Sequence, residues 1–303
     1  ICSPKSYNNH YGVPLSLSHL SIEHKFGVFE LGMSKSGEIN SLSKLVQPHI
    51  AIITNIGEAH IENFKNLKGI ADAKSEILNN LKKGGIIILN RDDKFFKYLE
   101  KKAKMKKIKI VSFGMSKKAD IHPTYIQIKN KKELTIKIYD ENLKINFNNS
   151  NIYNVLSSIA LLKVLKLNLK KIINLFKNFE PTDGRGRIHK IKRYKKNFNL
   201  IDESYNANPL SVKTAIRNFK SIKKSNFKKY LLLGDMLELG KKSEELHHKL
   251  SKVINNSDID KVFIKGEKTL ITYRKLIREK RGNIFQHEED IDFTLNNIIA
   301  NND

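Results

Sequence analysis

Residues 50–60 read IAIITNIGEAH, and Lys74 follows fourteen positions later in ADAKSEIL. An apolar, largely β-branched run ends abruptly in Thr54, Asn55 and Gly57 and then offers His60. This is the pattern of a buried parallel strand that delivers polar side chains at its carboxyl edge. Open α/β sheets hold ligands at that edge. Alone, the stretch fits an ordinary strand with a polar loop and a surface histidine equally well.

Working outward, FGVFEL (26–31), GIIILN (85–90) and IKIVSFG (108–114) read as further strands. Helical spacing fills 36–46, 68–82 and 93–104, with punctuation from Gly84, Gly85 and Asp92. A βαβ series of this kind predicts a mostly parallel sheet with right-handed crossovers. From 120 to 147 the texture changes to short alternating runs, IHPTYIQI, ELTIKIY and LKINF, which predict a small antiparallel patch. Helices are expected over 151–166 and 169–178. The segment EPTDGRGR follows, and its stretch 180–186 is the expected domain boundary. Beyond it IHKIK, FNLIDESY, YLLLGDM, KVFIKG and NIFQ alternate with helical patterns over 209–222, 241–255, 267–278 and 289–300. The expected fold class is therefore α/β with two doubly wound domains. Residues 1–179 are expected to form a first, mostly parallel domain with a small antiparallel patch, and residues 180–303 a Rossmann-like C-terminal domain.

The 303 residues suffice for two cores. The chain opens on Ile1 with no signal-like segment, so it reads as starting inside a longer protein. Lysine and asparagine interrupt every apolar run well short of the ~20 residues of a spanning helix. The expectation is a soluble protein with no membrane span. Cys2 is the only cysteine, which excludes a disulfide framework or thiolate metal cage and fits a cytoplasmic address. Lys and Arg total 56 against 31 acids, a formal charge of +25. Such a balance can mark nucleic-acid binding. Here, however, the basic residues are spread over the chain and lysine far outnumbers arginine, so no nucleic-acid partner is expected.

Glu30 ends a strand and precedes a small-residue loop with Gly32, Ser34, Ser36 and Gly37. A carboxylate there suits Mg²⁺, a hard cation that bridges to substrate phosphates. Alone, it is better explained as a helix-entry acid favoured by the dipole. His60 alone reads as a structural or solvated histidine, and Lys74 alone as a solvated lysine. GDMLELGKKS (234–243) imitates a phosphate loop. It has five residues between its glycines instead of four, and Lys242 where Ser or Thr must follow the lysine, so the backbone cradle fails.

Together ELGMSKSGEI (30–39), IAIITNIGEAH and the AKSEI around Lys74 resemble the central ATP-using domain of the Mur ligases, the amide-forming enzymes of peptidoglycan precursor synthesis. Within that family SYNNHYGVPLSL (6–17), IDESYNANP (201–209) and GDMLELG (234–240), with a later His247, resemble the members that add D-alanyl-D-alanine to UDP-N-acetylmuramoyl-tripeptide. The resemblance runs through essentially the whole chain in the right order. It implies ATP and Mg²⁺ as cofactors, with Glu30 on the Mg²⁺ that bridges the ATP phosphates and His60 helping to bind a second one. Lys74 matches the lysine that the family carbamylates with CO₂, which turns a cation repelled by Mg²⁺ into an oxygen ligand. Asn151 and Asn154 match nucleotide-side asparagines, although the histidine expected just before the first is Ser150. Arg185 matches an arginine that approaches phosphate.

Asp202, Glu203, Tyr205, Asn206, Asn208 and Pro209 match the loop that closes over the nucleotide; alone, it reads as a capping turn. Asn8 and Asn9 match a loop beside the acyl group and the metal, or serve as turn residues, and Asn55 is a further expected substrate contact. Catalytic weight falls on Lys74, His60 and Arg185. By the same comparison the family's phosphate loop, its uridine-nucleotide domain and a final strand are expected outside this sequence. The expected state is a monomer. Rival readings are another Mur ligase, a folylpolyglutamate synthase-like ligase, or a basic nucleotide- or nucleic-acid-binding protein that lost catalysis.

Overall fold

The computed structural model describes residues 1–129, 133–138, 141–146, 152–177, 181–222 and 227–300. It divides into two compact units. The first comprises Ile1–Ile126, Ile136–Leu143 and Asn151–Asn174, and the second Gln127–Thr135, Lys144–Ser150 and Leu175–Asp303.

In the first unit β1 (Ile50–Ile53), β2 (Ile86–Asn90) and β3 (Lys109–Phe113) pair in parallel in the order β1-β2-β3. Ile87 and Ile88 are adjacent and both fully buried, which requires cover on both faces of the central strand. Each such side chain contributes about 2 kcal/mol of hydrophobic stabilisation. The cover comes in part from α4 (Phe96–Met105) and α5 (Ile152–Val164), both packed on β2 and β3. The parallel sheet predicted from the apolar runs is therefore present. The connection into β2 turns at Gly84, whose φ of +78° favours a residue without Cβ.

Three elements depart from the sequence expectations. FGVFEL is not a strand: Val28 makes one isolated parallel bridge to Cys2, and the pairing stops at Ser3. Phe26 and Val28 remain about half exposed, so the segment has one short backbone partner and little burial to extend it. The helix expected over 68–82 ends early. α3 (Leu67–Ser75), capped by the Asn66 side chain on the Gly69 amide, tightens into a 3₁₀ turn over Glu76–Asn79. The Glu76 carboxylate there takes the amides of Gly37 and Asn40 at the start of α2 (Glu38–Val46). The earlier α1 (Gly12–Ser18) lies ahead of this loop in the chain.

The third departure lies in the second unit. β7 (Arg187–Arg193) and β8 (Lys196–Asp202) pair antiparallel in a two-stranded sheet of their own and do not join the parallel series. Tyr194 and Lys195 connect them with φ of +55° and +56°, the double left-handed turn whose twist suits a hairpin. A two-residue connection can only return the chain antiparallel. Between the two parallel sheets in sequence, β4 (Tyr125–Lys129), β5 (Glu133–Ile138) and β6 (Glu141–Asn146) form a separate sheet in that order, and α6 spans Leu169–Lys177.

After α7 (Pro209–Ser221), the strands β9 (Tyr230–Gly234), β10 (Lys261–Lys265) and β11 (Arg281–Ile284) form a parallel sheet in the order β11-β10-β9. They alternate with α8 (Ser243–Asn255), α9 (Thr269–Arg274) and α10 (Glu288–Ile298). Leu250 and Ile254 of α8 and Val262 and Ile264 of β10 are buried in the core of this unit. Among the described residues no helix is long and apolar enough to cross a membrane.

Candidate functional site

At the carboxyl end of β1 the chain leaves the sheet with Thr54 and Asn55 exposed and Ile56 buried. Three consecutive residues are then anchored by side chains from other elements. The Thr54 carbonyl accepts from Asn90 Nδ2 at 3.0 Å, the Asn55 carbonyl accepts from Lys74 Nζ at 3.0 Å, and the Ile56 amide donates to Asp93 Oδ2 at 2.8 Å. Lys74 rides on the last turn of α3. Burial of its amine pushes the pKa below the ordinary lysine value, and the nearby Asp93 charge opposes that shift. Lys74 is thus not a solvated lysine but a desolvated amine ending on a backbone carbonyl.

The same loop continues to His60, half buried, which adopts a left-handed φ of +57° and opens the 3₁₀ turn Ile61–Asn63. Asn55 contributes its backbone oxygen at the contact with Lys74, and its residue is exposed at the strand end.

Glu30 is exposed and accepts from Asn8 Nδ2 at 2.8 Å. The Gly32 amide bonds the Asn8 carbonyl at 2.7 Å, so the YNN turn and the loop after Glu30 form one piece. A Cβ at Gly32 would lie 2.8 Å from the Asn8 side chain, which explains a glycine there. Asn9 behaves differently from its neighbour: its Oδ1 takes the amides of Tyr11 and Gly12 at the start of α1. Past Gly32, the Glu38 carboxylate takes the amides of Ser34 and Lys35, and these bonds hold its pKa below the usual value.

Among the described residues, no three or more His, Cys, Asp or Glu side chains gather as a metal cage. Any divalent ion at this edge would therefore need oxygen ligands beyond the unmodified protein acids. Lys74 ends on the Asn55 carbonyl at this edge, and a CO₂ adduct of its amine would supply such oxygens. Carboxylate and carbamate oxygens are hard donors of the kind that Mg²⁺ prefers, usually completed by phosphate oxygens.

Of the two asparagines expected on the nucleotide side, Asn151 lies outside the described residues. Asn154 is exposed on α5, where its carbonyl accepts the hydroxyls of Ser157 and Ser158. In the second unit Asp202 ends β8 with both carboxylate oxygens engaged, one by the Gly184 amide and one by the Ser204 amide, each at 3.0 Å. Ser204, followed by the Gly184 amide, holds its pKa below the usual value. The Tyr205 amide returns to the Gly184 carbonyl at 3.1 Å, and the Arg185 guanidinium lies 4.3 Å from the centre of the Tyr205 ring. Gly184, at φ +74°, could not carry a Cβ, which would sit 2.7 Å from the Tyr205 Cβ. Glu203 is pushed upward, first by desolvation and then by the Asp202 charge beside it. Asn206 is exposed. Asn208 caps α7, its Oδ1 taking the amides of Leu210 and Ser211, with Pro209 at the first helical position.

His247 is fully buried. Its Nε2 accepts from the Met236 amide at 3.1 Å, so Nδ1 carries the proton donated to the Ser243 carbonyl at 2.8 Å. The imidazole pins the 234–240 loop to α8. The same loop turns Asp235 away from any phosphate cradle, onto the Thr269 amide at the start of α9.

Two family models divide this geometry between them. The Mur ligase middle domain matches residues 2–162, and the Mur ligase glutamate ligase domain matches residues 186–300. The chain belongs to the Mur ligase family. It is 31% identical over 302 residues to the UDP-N-acetylmuramoyl-tripeptide--D-alanyl-D-alanine ligase of Buchnera aphidicola subsp. Baizongia pistaciae, covering 98% of this chain and 63% of that one. The crystal structure of MurF from Acinetobacter baumannii superposes with a TM-score of 0.85 at 28% identity, covering 97% of this chain and 63% of that one. MurF of Thermotoga maritima in complex with ADP shares the fold, with a TM-score of 0.81 at 22% identity over 97% of this chain and 66% of its own. The chain thus spans a little under two thirds of the length of the curated relatives it matches first.

Asn90 and Asp93, which clamp the β1 loop, are absent from the residues singled out in sequence. The signal was available: ILNRDD after β2 repeats the pattern of polar residues following a buried strand.

Proposed function

We propose that this Mur ligase chain carries the central and C-terminal parts of an ADP-forming ligase. Its reaction joins D-alanyl-D-alanine to UDP-N-acetylmuramoyl-tripeptide in peptidoglycan precursor synthesis. The observation that carries the reading is Lys74, a desolvated amine held on the Asn55 carbonyl at the carboxyl edge of a buried parallel strand. The substrate assignment draws on the ligase of Buchnera aphidicola, similar over nearly all of this chain, and ATP use on the Thermotoga relative found with ADP. Residues 1–179 are proposed as the ATP-binding domain and 180–303 as the ligase domain. The monomeric state and the cytoplasmic address belong to the same proposal.

In this reading the tripeptide carboxylate attacks the γ-phosphorus of ATP and releases ADP. The D-Ala-D-Ala amine then attacks the acyl phosphate, losing a proton and expelling phosphate as the amide forms. Mg²⁺, when bound, offsets the negative charge crowded between carboxylate and triphosphate. Glu30, His60 and CO₂-modified Lys74 would hold it. Asn8 orients the Glu30 carboxylate through its 2.8 Å bond. Asn9 and Asn55 lie on the two loops proposed to meet the acyl group. Asn151, Asn154, Arg185, Asp202, Glu203, Tyr205, Asn206 and Asn208 are proposed nucleotide contacts. Tyr205 offers the exposed ring that Arg185 already covers from one side.

The whole protein, incubated with ATP, the UDP-linked tripeptide and D-Ala-D-Ala, is expected to yield one amide product per ADP, read by mass spectrometry and phosphate release. Turnover with a single amino acid or with glutamate in place of D-Ala-D-Ala would redirect the assignment to another ligase of the fold. No ATP-dependent product with any amine would refute it.

A further inference from the structure

The loop leaving β1 and the turn leaving β2 are one hydrogen-bonded piece. Asn90 is buried and uses both ends of its amide: Nδ2 donates to the Thr54 carbonyl at 3.0 Å, and Oδ1 accepts from the Asp92 amide at 3.0 Å. Asp93 also spans the two segments, with Oδ2 on the Ile56 amide at 2.8 Å and Oδ1 on the Phe95 amide at 2.7 Å. The clamp therefore grips the residues on either side of Asn55 and leaves only the Asn55 carbonyl for Lys74. A backbone carbonyl fixed at both flanks is a rigid acceptor.

We propose that Asn90 and Asp93 are positioning residues that immobilise the Asn55 carbonyl so that it orients the CO₂ adduct of Lys74. The inference rests on the ligase reading of Lys74. In forming the adduct, the neutral amine attacks the carbon of CO₂, a C–N bond replaces one C–O π bond, and one proton leaves to solvent. The nitrogen keeps one hydrogen. That N–H is the donor the Asn55 carbonyl already accepts, so the bond survives the modification. The carbamate is planar by the same resonance that flattens an amide. Once its N–H direction is fixed, the plane holding its two oxygens can only turn about that bond. Its negative charge is repelled by Asp93, which sets the oxygens on the side away from the clamp. Loss of either clamp residue frees Asn55, and the adduct loses both its anchor and its direction.

The test uses Asp93→Glu, which keeps the charge but displaces the acceptor from the Ile56 amide, and Asn90→Ala, which removes the Thr54 donor. Each protein is equilibrated with ¹³C-bicarbonate, and the carbamate resonance is integrated against the wild-type signal. Both variants are expected to keep native circular dichroism while the resonance falls at least five-fold. In the whole protein kcat is expected to fall by a similar factor with KM for ATP little changed, and added bicarbonate to restore part of it. Undiminished resonance in both variants would overturn the clamp, and so would loss of the native fold in both, because the groups would then be purely structural. Absence of the resonance in the wild-type protein would instead overturn the ligase reading of Lys74, which keeps the two failures distinct.

Discussion

Replacing Lys229 with methionine tests the account of the second unit most severely, because the ammonium has no access to solvent. The Lys229 side chain is 0% exposed and its three N–H donors meet three acceptors: the Phe219 and Ile222 carbonyls at the end of α7, and Asp258 Oδ2 at 2.7 Å. At an effective dielectric near 20, the gross attraction to Asp258 is about 6 kcal/mol. Desolvation of the two charges consumes most of it, so the pair itself is worth little. Truncation is another matter. It strands the Ile222 carbonyl at about 1.5 kcal/mol, takes one of two donors from the Phe219 carbonyl, which keeps the Ile222 amide, at about 0.5 kcal/mol, and leaves a carboxylate whose side chain is only 35% exposed. The sum is about 3 kcal/mol, at the lower end of the ~3–5 kcal/mol for breaking a buried pair, because solvent still reaches Asp258. With a urea slope of roughly 2 kcal/mol/M, the midpoint for this unit should fall by about 1.5 M. Hydrogen exchange at the last turn of α7 identifies the unit that melts. A second variant, Lys229→Met with Asp258→Leu, should recover about a third of the loss, since the Ile222 carbonyl remains unpaired and the Phe219 carbonyl keeps only the Ile222 amide. A shift below about 0.5 M for the single variant would mean that the Lys229 ammonium does not hold the end of α7.

Glu203→Gln should stabilise the protein at neutral pH. The folded carboxyl titrates above its ordinary value, so its ionisation costs stability as pH rises from the unfolded pKa through the folded one. The advantage of the amide should vanish below the ordinary carboxylate range, and melting curves across pH 3–8 would show it; an advantage that grows in acid would contradict the sign. His247→Ala leaves the buried Met236 amide without an acceptor, together with a cavity, and should cost about 3 kcal/mol. Faster proteolysis at 234–240 is the expected readout. Lys74→Ala in the whole protein should abolish ligation, and retained turnover would argue against a metal-binding role.

The runs IAII, IIIL and KIVSF were legible as strands because a strand covered on both faces needs no alternation, and the helices between them fixed parallel pairing. FGVFEL carries the same composition, but strand formation needs partners, and Val28 finds only Cys2. The β7–β8 hairpin escaped because its turn, Tyr194–Lys195, lacks the Asn-Gly signature and bends left-handed without glycine. At the site, motif resemblance drew attention to Lys74, but not to its partner. A backbone carbonyl such as that of Asn55 leaves no trace in residue identity. Asn9 and Asn208 show the converse: alone they read as turn or cap residues and only the resemblance makes them ligands, and their side-chain oxygens sit on helix amides.

The proposed divalent ion at the carboxyl edge of β1, held between Glu30, His60 and a CO₂-modified Lys74, is open to direct observation. Crystals of the whole protein grown with ADP, bicarbonate and Mn²⁺, and measured at the manganese absorption edge, address it directly. The expected result is an anomalous peak within bonding distance of Glu30 and the adduct oxygens, with Lys74 Nζ still on the Asn55 carbonyl. An unmodified Lys74 with the peak elsewhere, or with no peak at this edge, would contradict it.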